Sequence, residues 1–344
     1  MRTGDRMMIL FVGSGLIAGS LSSALRAGES VPDTRGLLAP LAAPLATVVR
    51  PSGERQPSVP SQIGGAEKGT SATPAVSPIS PSEQSLHDWA ASIKPDLETF
   101  AGAKFEKDVA IKVLGLDDLA QMLAAPIMQR MTDEKVKRPD GSAMSPVEIR
   151  IRSMAAAFKV ATRTFGMYRY EDKTVYVIPE NASRYAKRHG WSSQTLERAP
   201  KLAMAHELIH ALQDQKHSLG EQFVRVSGEE RNALIAVTEG QAVWVTDQLA
   251  HKLDWPAANA VLWGVVTGVQ TEDDLAGAEK MPKVKVNDGA PASELYDLGK
   301  KFIVTQAELK GDAPTGAERV WAIIAKPPIT MAEVREPEKF VLKK

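Results

Sequence analysis

Hydrophobic residues first recur at helical spacing just after Ser82, where Ser85-Leu86-His87-Asp88-Trp89 opens an amphipathic pattern. Leu97, Phe100, Phe105, Val109, Val113 and Leu116 continue it towards Leu119, Met122 and Leu123. Residues 146–165 predict a helix, with Val147, Ile151, Met154, Ala155 and Phe158 spaced for one face. The period then changes. Gly166-Met167-Tyr168-Arg169-Tyr170 and Thr174-Val175-Tyr176-Val177-Ile178 flank the polar Glu171-Asp172-Lys173, which predicts a β-hairpin ended by Pro179. It is the one clear sheet signal in the chain.

Beyond the hairpin the pattern turns apolar on all sides. Leu202, Ala205, Ile209 and Leu212 form one stripe, and Met204, Leu208 and Ala211 cover much of the opposite side. A helix apolar nearly all round is a buried helix. Pro200 suits its first turn, and Gly220 lies just beyond its expected end. Its polar residues, Gln213, Asp214 and His217, fall on the side that carries His206 and His210. Glu229 to Trp244 predicts a second buried helix, with Glu239 inside its apolar part. Trp255 to Val269 is apolar but too short and interrupted to span a bilayer. Residues 271–292 read as loop, and residues 295–304 as a helix facing the core. These elements predict an α+β, mostly helical fold with a small hairpin ahead of its central helix. No internal repeat, phosphate loop or serine nucleophile elbow is present in the sequence.

The first 82 residues follow other rules. Arg2 and Arg6, the apolar run Met7 to Leu21 and the small residues Ser22, Ser23, Ala24 and Ala27 predict a signal peptide over 1–27. An uncleaved anchor is the alternative. Residues 28–82 are rich in Pro, Ala and Ser and lack aromatics, so they cannot bury enough apolar surface to offset their ordering entropy. They are expected to form a disordered linker, with a propeptide as the alternative. The folded domain is then 83–344, in a secreted or periplasmic protein whose mature chain has no membrane span unless the anchor is retained. Lys+Arg 42 balances Asp+Glu 42, which argues against a nucleic-acid partner. With no cysteine, any metal ligands must be His, Asp or Glu.

That restriction gives weight to His206-Glu207-x-x-His210. Helical residues four apart stack on one face, so both imidazoles can reach one ion. Glu207 points about 100° away on the helical wheel. H-E-x-x-H on a helix is the zinc-hydrolase signature: the ion lowers the pKa of a water towards ~7, and the carboxylate takes its proton. Three carboxylates compete as third ligand. Glu229 and Glu230 follow Ser227-Gly228, where acidic residues simply favour a helix N-terminus. Glu239 lies among Ala236, Val237, Ala242 and Val243, where a carboxylate without a partner is costly. The side-chain-free Gly240 would let its helix lie close to the H-E-x-x-H helix. Residues Lys216 to Ser227 would supply the connecting loop. His87 is expected at the surface or at a cap.

With Glu239-Gly240-x-Ala242, the motif resembles the gluzincin metallopeptidases. More closely, H-E-L-x-H-A-L-Q-D-Q followed by Tyr296-x-x-Gly299-x-x-Phe302 is similar to secreted bacterial proteins of zincin type, as are the Pro327-Pro328-x-Thr330 and Pro337-Glu338-Lys339-Phe340 endings. The similarity covers roughly residues 165–342. It implies a zincin-like domain in which His206, His210 and Glu239 ligate Zn²⁺ and Glu207 is the general base. Tyr296 is the candidate second donor to the oxyanion. Thermolysin-like enzymes place Asp four residues after the ligand glutamate, and here Val243 stands there. The residue orienting the ligands is then expected elsewhere, with Asp214 and Asp247 as candidates. The implied activity is hydrolysis of peptide or protein substrates, with the hairpin's edge strand available to pair with them. The alternatives are a zinc-stabilised, non-catalytic envelope or interaction domain, and a zinc hydrolase of a non-peptide bond.

Overall fold

The computed structural model describes residues 81–138, 140–267, 292–309 and 314–342. The expected signal peptide, the linker up to residue 80, and residues 271–291 of the expected loop lie outside them; residue 292 already begins a helix. The described residues form a mostly helical α+β fold around a three-stranded sheet. No helix among them is long and apolar enough to cross a membrane.

The first helix, α1 (Glu83–Ala101), starts where Ser82 caps it, accepting a hydrogen bond from the Ser85 N–H at 3.1 Å. Leu86, Ala90, Ile93, Leu97 and Ala101 form its buried face. The pattern beyond it is not one continuous helix. Residues Ala110–Val113 form a strand, β1, before α2 (Leu116–Asp133) begins. β1 pairs parallel with β3 (Thr174–Val177), which pairs antiparallel with β2 (Gly166–Arg169). The hairpin was legible from two β-rich runs around a polar turn; β1 was not, because a parallel partner far away in sequence leaves no local turn signal. His87 explains one edge of this sheet. Its Nε2 meets the Ile111 carbonyl at 3.0 Å, and Glu83 accepts from the Val113 N–H at 3.3 Å. α1 thus covers the outer edge of β1, as exposed strand edges require, and β2 forms the opposite edge.

Helix α3 (Pro146–Ala161) lies against α2, but not with the face its apolar spacing suggests. Ser153, Ala157, Val160 and Ala161 are buried, while Val147 is 68% exposed. Small residues dominate the buried face and let α2 approach, Ile149 and Phe158 pack half-buried at its margin, and Val147 and Met154 are left exposed. α4 (Pro179–His189) follows the sheet. Its Asn181 amide ties back to the Ala161 and Thr164 carbonyls at 2.7 and 2.6 Å.

The central helix, α5, spans Ser193–His217. It begins earlier than Pro200, which sits inside it; Ser192 caps it through the Thr195 N–H at 3.1 Å. Every residue from Ala199 to Asp214 except Lys201 is buried. The connection expected as a loop is a short helix, α6 (Leu219–Arg225), which contains Gly220. α7 (Gly228–Lys252) is the second buried helix, followed by α8 (Pro256–Thr267) and α9 (Ala292–Glu308).

α7 and α9 cross at two glycines. A Cβ on Gly240 would lie 2.2 Å from the Gly299 carbonyl, and one on Gly299 would lie 1.9 Å from the Ala236 oxygen. Gly240 therefore admits α9, not the H-E-x-x-H helix as the sequence suggested. Three short elements close the chain: α10 (Gly316–Ala325), α11 (Met331–Arg335) and a 3₁₀ turn at Pro337–Lys339. The two proline-rich endings have local jobs. Thr330 and Glu333 form a reciprocal capping box on α11. Phe340 packs edge-on against Phe302, ring centroids 5.2 Å apart.

Candidate metal centre

His206 and His210 lie one turn apart on α5 and meet edge to face, ring centroids 4.7 Å apart. Their Nε2 atoms are 3.1 Å from each other. From α7, Glu239 Oε2 comes within 3.1 Å of His206 Nε2 and 3.4 Å of His210 Nε2. All three residues are buried, and their donor atoms lie within 4.8 Å of one another. α5 and α7 thus bring together the three ligands expected from sequence. Glu229 and Glu230 sit exposed in the first turn of α7, distant along the helix from the cluster.

Whether a metal ion suits these residues can be judged from their unused atoms. Glu239 is fully buried, yet its Oε1 has no hydrogen-bond partner among the described residues, and neither has His206 Nδ1. Leaving a buried carboxylate oxygen unsatisfied costs about 1–3 kcal/mol or more. A divalent cation held between two imidazoles and a carboxylate removes that cost, and this is a donor set that zinc uses in catalytic sites. The His-His-Glu group therefore fits a metal ion.

Without an ion the cluster is held by its own charges. Burial by itself raises the Glu239 carboxyl, but the His210 charge and hydrogen bonds from both histidines outweigh it and hold the group at about 2. Burial likewise depresses His210, while the Glu239 charge and hydrogen bond lift it to about 9. The two shifts describe one buried ion pair. Glu207 behaves differently. Burial raises its carboxyl above the ordinary carboxylate range against the pull of both histidines.

Glu207 is positioned by β2. Its Oε2 accepts a hydrogen bond from the Tyr168 N–H at 2.7 Å. Gly166 in the same strand leaves it room, since a Cβ there would lie 2.9 Å from Glu207 Cγ. A cavity of about 20 Å³ lies against both, lined by Phe165, Gly166, Ala203, His206, Glu207, Leu262 and Trp263. That is the scale of a single water.

Trp263 was not foreseen. The sequence showed only an apolar run around it, but its ring stands 5.0 Å from that of His206. Tyr296, from α9, packs against Trp263 with centroids 5.8 Å apart. Trp263 thus meets both His206 and Tyr296.

The orienting residues also differ from those expected. Asp214 accepts from the Tyr168 hydroxyl at 2.9 Å, Lys173 Nζ at 2.6 Å and the Gly220 N–H at 3.1 Å, so it pins the hairpin to α5. Asp247 pairs with Lys300 and Asn259. Neither bonds a ligand histidine. Gln213 does, its Oε1 lying 2.9 Å from His210 Nδ1. Its amide nitrogen donates to the Thr238 carbonyl at 2.8 Å and to Gln241 Oε1 at 2.9 Å. Three residues past His210, Gln213 lies on the histidine face, but a neutral amide carries a weaker sequence signal than the charged Asp214 beside it. Comparisons with protein-family models, curated proteins and solved structures found no match to this chain.

Proposed function

We propose that this protein is a zinc-dependent peptidase of gluzincin type, secreted or periplasmic, acting on peptide or protein substrates. One observation carries the reading: two imidazole nitrogens and a carboxylate oxygen converge within 4.8 Å, with Glu207 on the helix that carries both histidines. A merely structural zinc site has no use for that fourth group. His206, His210 and Glu239 would hold the ion, which supplies Lewis acidity towards water and towards a scissile carbonyl. Glu207 takes the proton from the attacking water and passes it to the leaving amine. A raised carboxyl suits that double role, because it exchanges protons nearer neutral pH. The Tyr168 N–H keeps one carboxylate oxygen in place during the exchange. β2 is an edge strand, and an extended chain pairing along it would lie beside Glu207, which already holds the Tyr168 N–H of that strand. Tyr296 packs against Trp263, whose ring in turn meets that of His206.

A second reading, a zinc-stabilised domain without turnover, is favoured by the narrowness of the cavity, about 20 Å³, and by Glu207 being only 2% exposed. One variant separates the two. Glu207→Gln is expected to keep stoichiometric zinc and its fold while losing ~10²–10⁴-fold or more of a peptide-cleavage rate. Loss of zinc from this variant would show that Glu207 is a ligand. Absence of cleavage by the parent across a broad peptide screen would favour the non-catalytic domain.

A further inference from the structure

Gln213 is fully buried, as are Gln241 and, to within 1%, Thr238. A primary amide looks the same whichever way its oxygen and nitrogen are placed, so its orientation follows from an unambiguous neighbour. The Thr238 backbone carbonyl is such a neighbour, because it can only accept. It lies 2.8 Å from one end of the Gln213 amide, and that end must be the nitrogen. The other end is then the oxygen, and it faces His210 Nδ1 at 2.9 Å. An oxygen there accepts, so His210 Nδ1 must carry a hydrogen. In the neutral imidazole the lone pair is left on Nε2, the atom turned towards His206 and Glu239.

The second amide hydrogen of Gln213 goes to Gln241 Oε1 at 2.9 Å. Both donor bonds therefore end on the turn of α7 that contains Glu239. His206 has no comparable support, its Nδ1 having no partner among the described residues.

We infer that Gln213 is a positioning residue which locks His210 in its Nδ1–H form and ties that ligand to the turn carrying Glu239. This rests on the metal reading above. Through one side chain, two ligands from different helices are held in register before any ion enters. Buried partners of metal-bound histidines typically account for ~10–100-fold in metal affinity.

The full-length protein is used, with zinc alone as the probe in competition with a chelator. Gln213→Leu keeps the bulk and removes the acceptor, and is expected to weaken zinc binding ~10–100-fold. Gln241→Leu leaves the acceptor and removes half of its anchorage; a smaller loss is expected. If Gln213→Leu fails to fold, Gln241→Leu carries the test, and unchanged affinity in that variant overturns the inference. The distinguishing signature is spectroscopic. With cobalt(II) bound, the parent should show one slowly exchanging imidazole N–H, from His210, which Gln213→Leu loses. Zinc affinity within two-fold of the parent in Gln213→Leu, or a parental His210 protonated on Nε2, overturns the inference. A parent that binds neither ion refutes the metal reading instead. The tautomer is then measured by ¹⁵N NMR on the ion-free protein at alkaline pH, where an Nδ1–H His210 sustains the positioning role and an Nε2–H form ends it.

Discussion

Gly240→Ala tests how far the packing of two helices reaches into the metal centre. The added Cβ would lie 2.2 Å from the carbonyl carbon and oxygen of Gly299, where ordinary contact begins at 3.4 Å. α7 and α9 must then separate by about 1.2 Å at the crossing, by the difference between those distances. The obstacle is backbone, so no change of rotamer relieves it. Overpacking of this kind costs about 3 kcal/mol, and the better helix propensity of alanine returns about 1 kcal/mol. The net loss of about 2 kcal/mol corresponds to a fall in melting temperature of roughly 4–8 °C for a domain of this size. The neighbour of Gly240 is Glu239, about 100° round the same helix turn. A shift near an ångström exceeds the roughly 0.5 Å tolerance of a preorganised site, so zinc affinity should fall ~10-fold or more by the same displacement. Thermal unfolding by circular dichroism, with and without zinc, and chelator competition read both effects. A variant that melts within 2 °C of the parent and binds zinc as tightly would refute the argument that the glycine crossing sets the place of Glu239.

The third ligand can be tested directly. Glu239→Ala should weaken zinc binding by orders of magnitude, whereas Glu230→Ala, exposed at the start of α7, should stay within a few-fold; the reverse result in a zinc titration would discard the assignment. The ion-free centre should also respond to pH with a definite sign. His210 is raised from 6.5 to about 9, so its contribution to stability is complete below 6.5 and is lost as pH climbs to about 9. Glu207, also raised, works in the same direction from its ordinary range upward. Glu239, held at about 2, contributes above 4.5 and loses its share only as pH falls towards 2. Zinc needs His210 neutral, so the gap in melting temperature between zinc-loaded and zinc-free protein should widen between pH 6.5 and 9. A gap that stays constant or narrows over that interval contradicts the coupling.

What the sequence determined by itself was whatever depends on neighbours along the chain. Apolar residues on every side of residues 202–212 and 233–243 require two buried helices. Helical spacing puts His206 and His210 on one face. A carboxylate amid alanine and valine demands a partner, which singled out Glu239 over Glu230. The β-rich runs on either side of the polar Glu171-Asp172-Lys173 specified the hairpin. Tertiary structure decided what depends on distant segments. β1 exists because β3 offers it a parallel edge, and His87 finds its role only against that strand. The buried side of α3 was settled by how closely α2 could approach Ser153, Ala157 and Ala161, which left Val147 and Met154 exposed. Gly240 reads as a site of close approach from sequence, but only the fold shows that α9 is what approaches. Likewise, local charge pointed to Asp214 and Asp247 as partners of the histidines, yet Gln213 takes that place. An amide can accept from His210 while donating to Thr238 and Gln241 across the helix interface, and a carboxylate cannot do both.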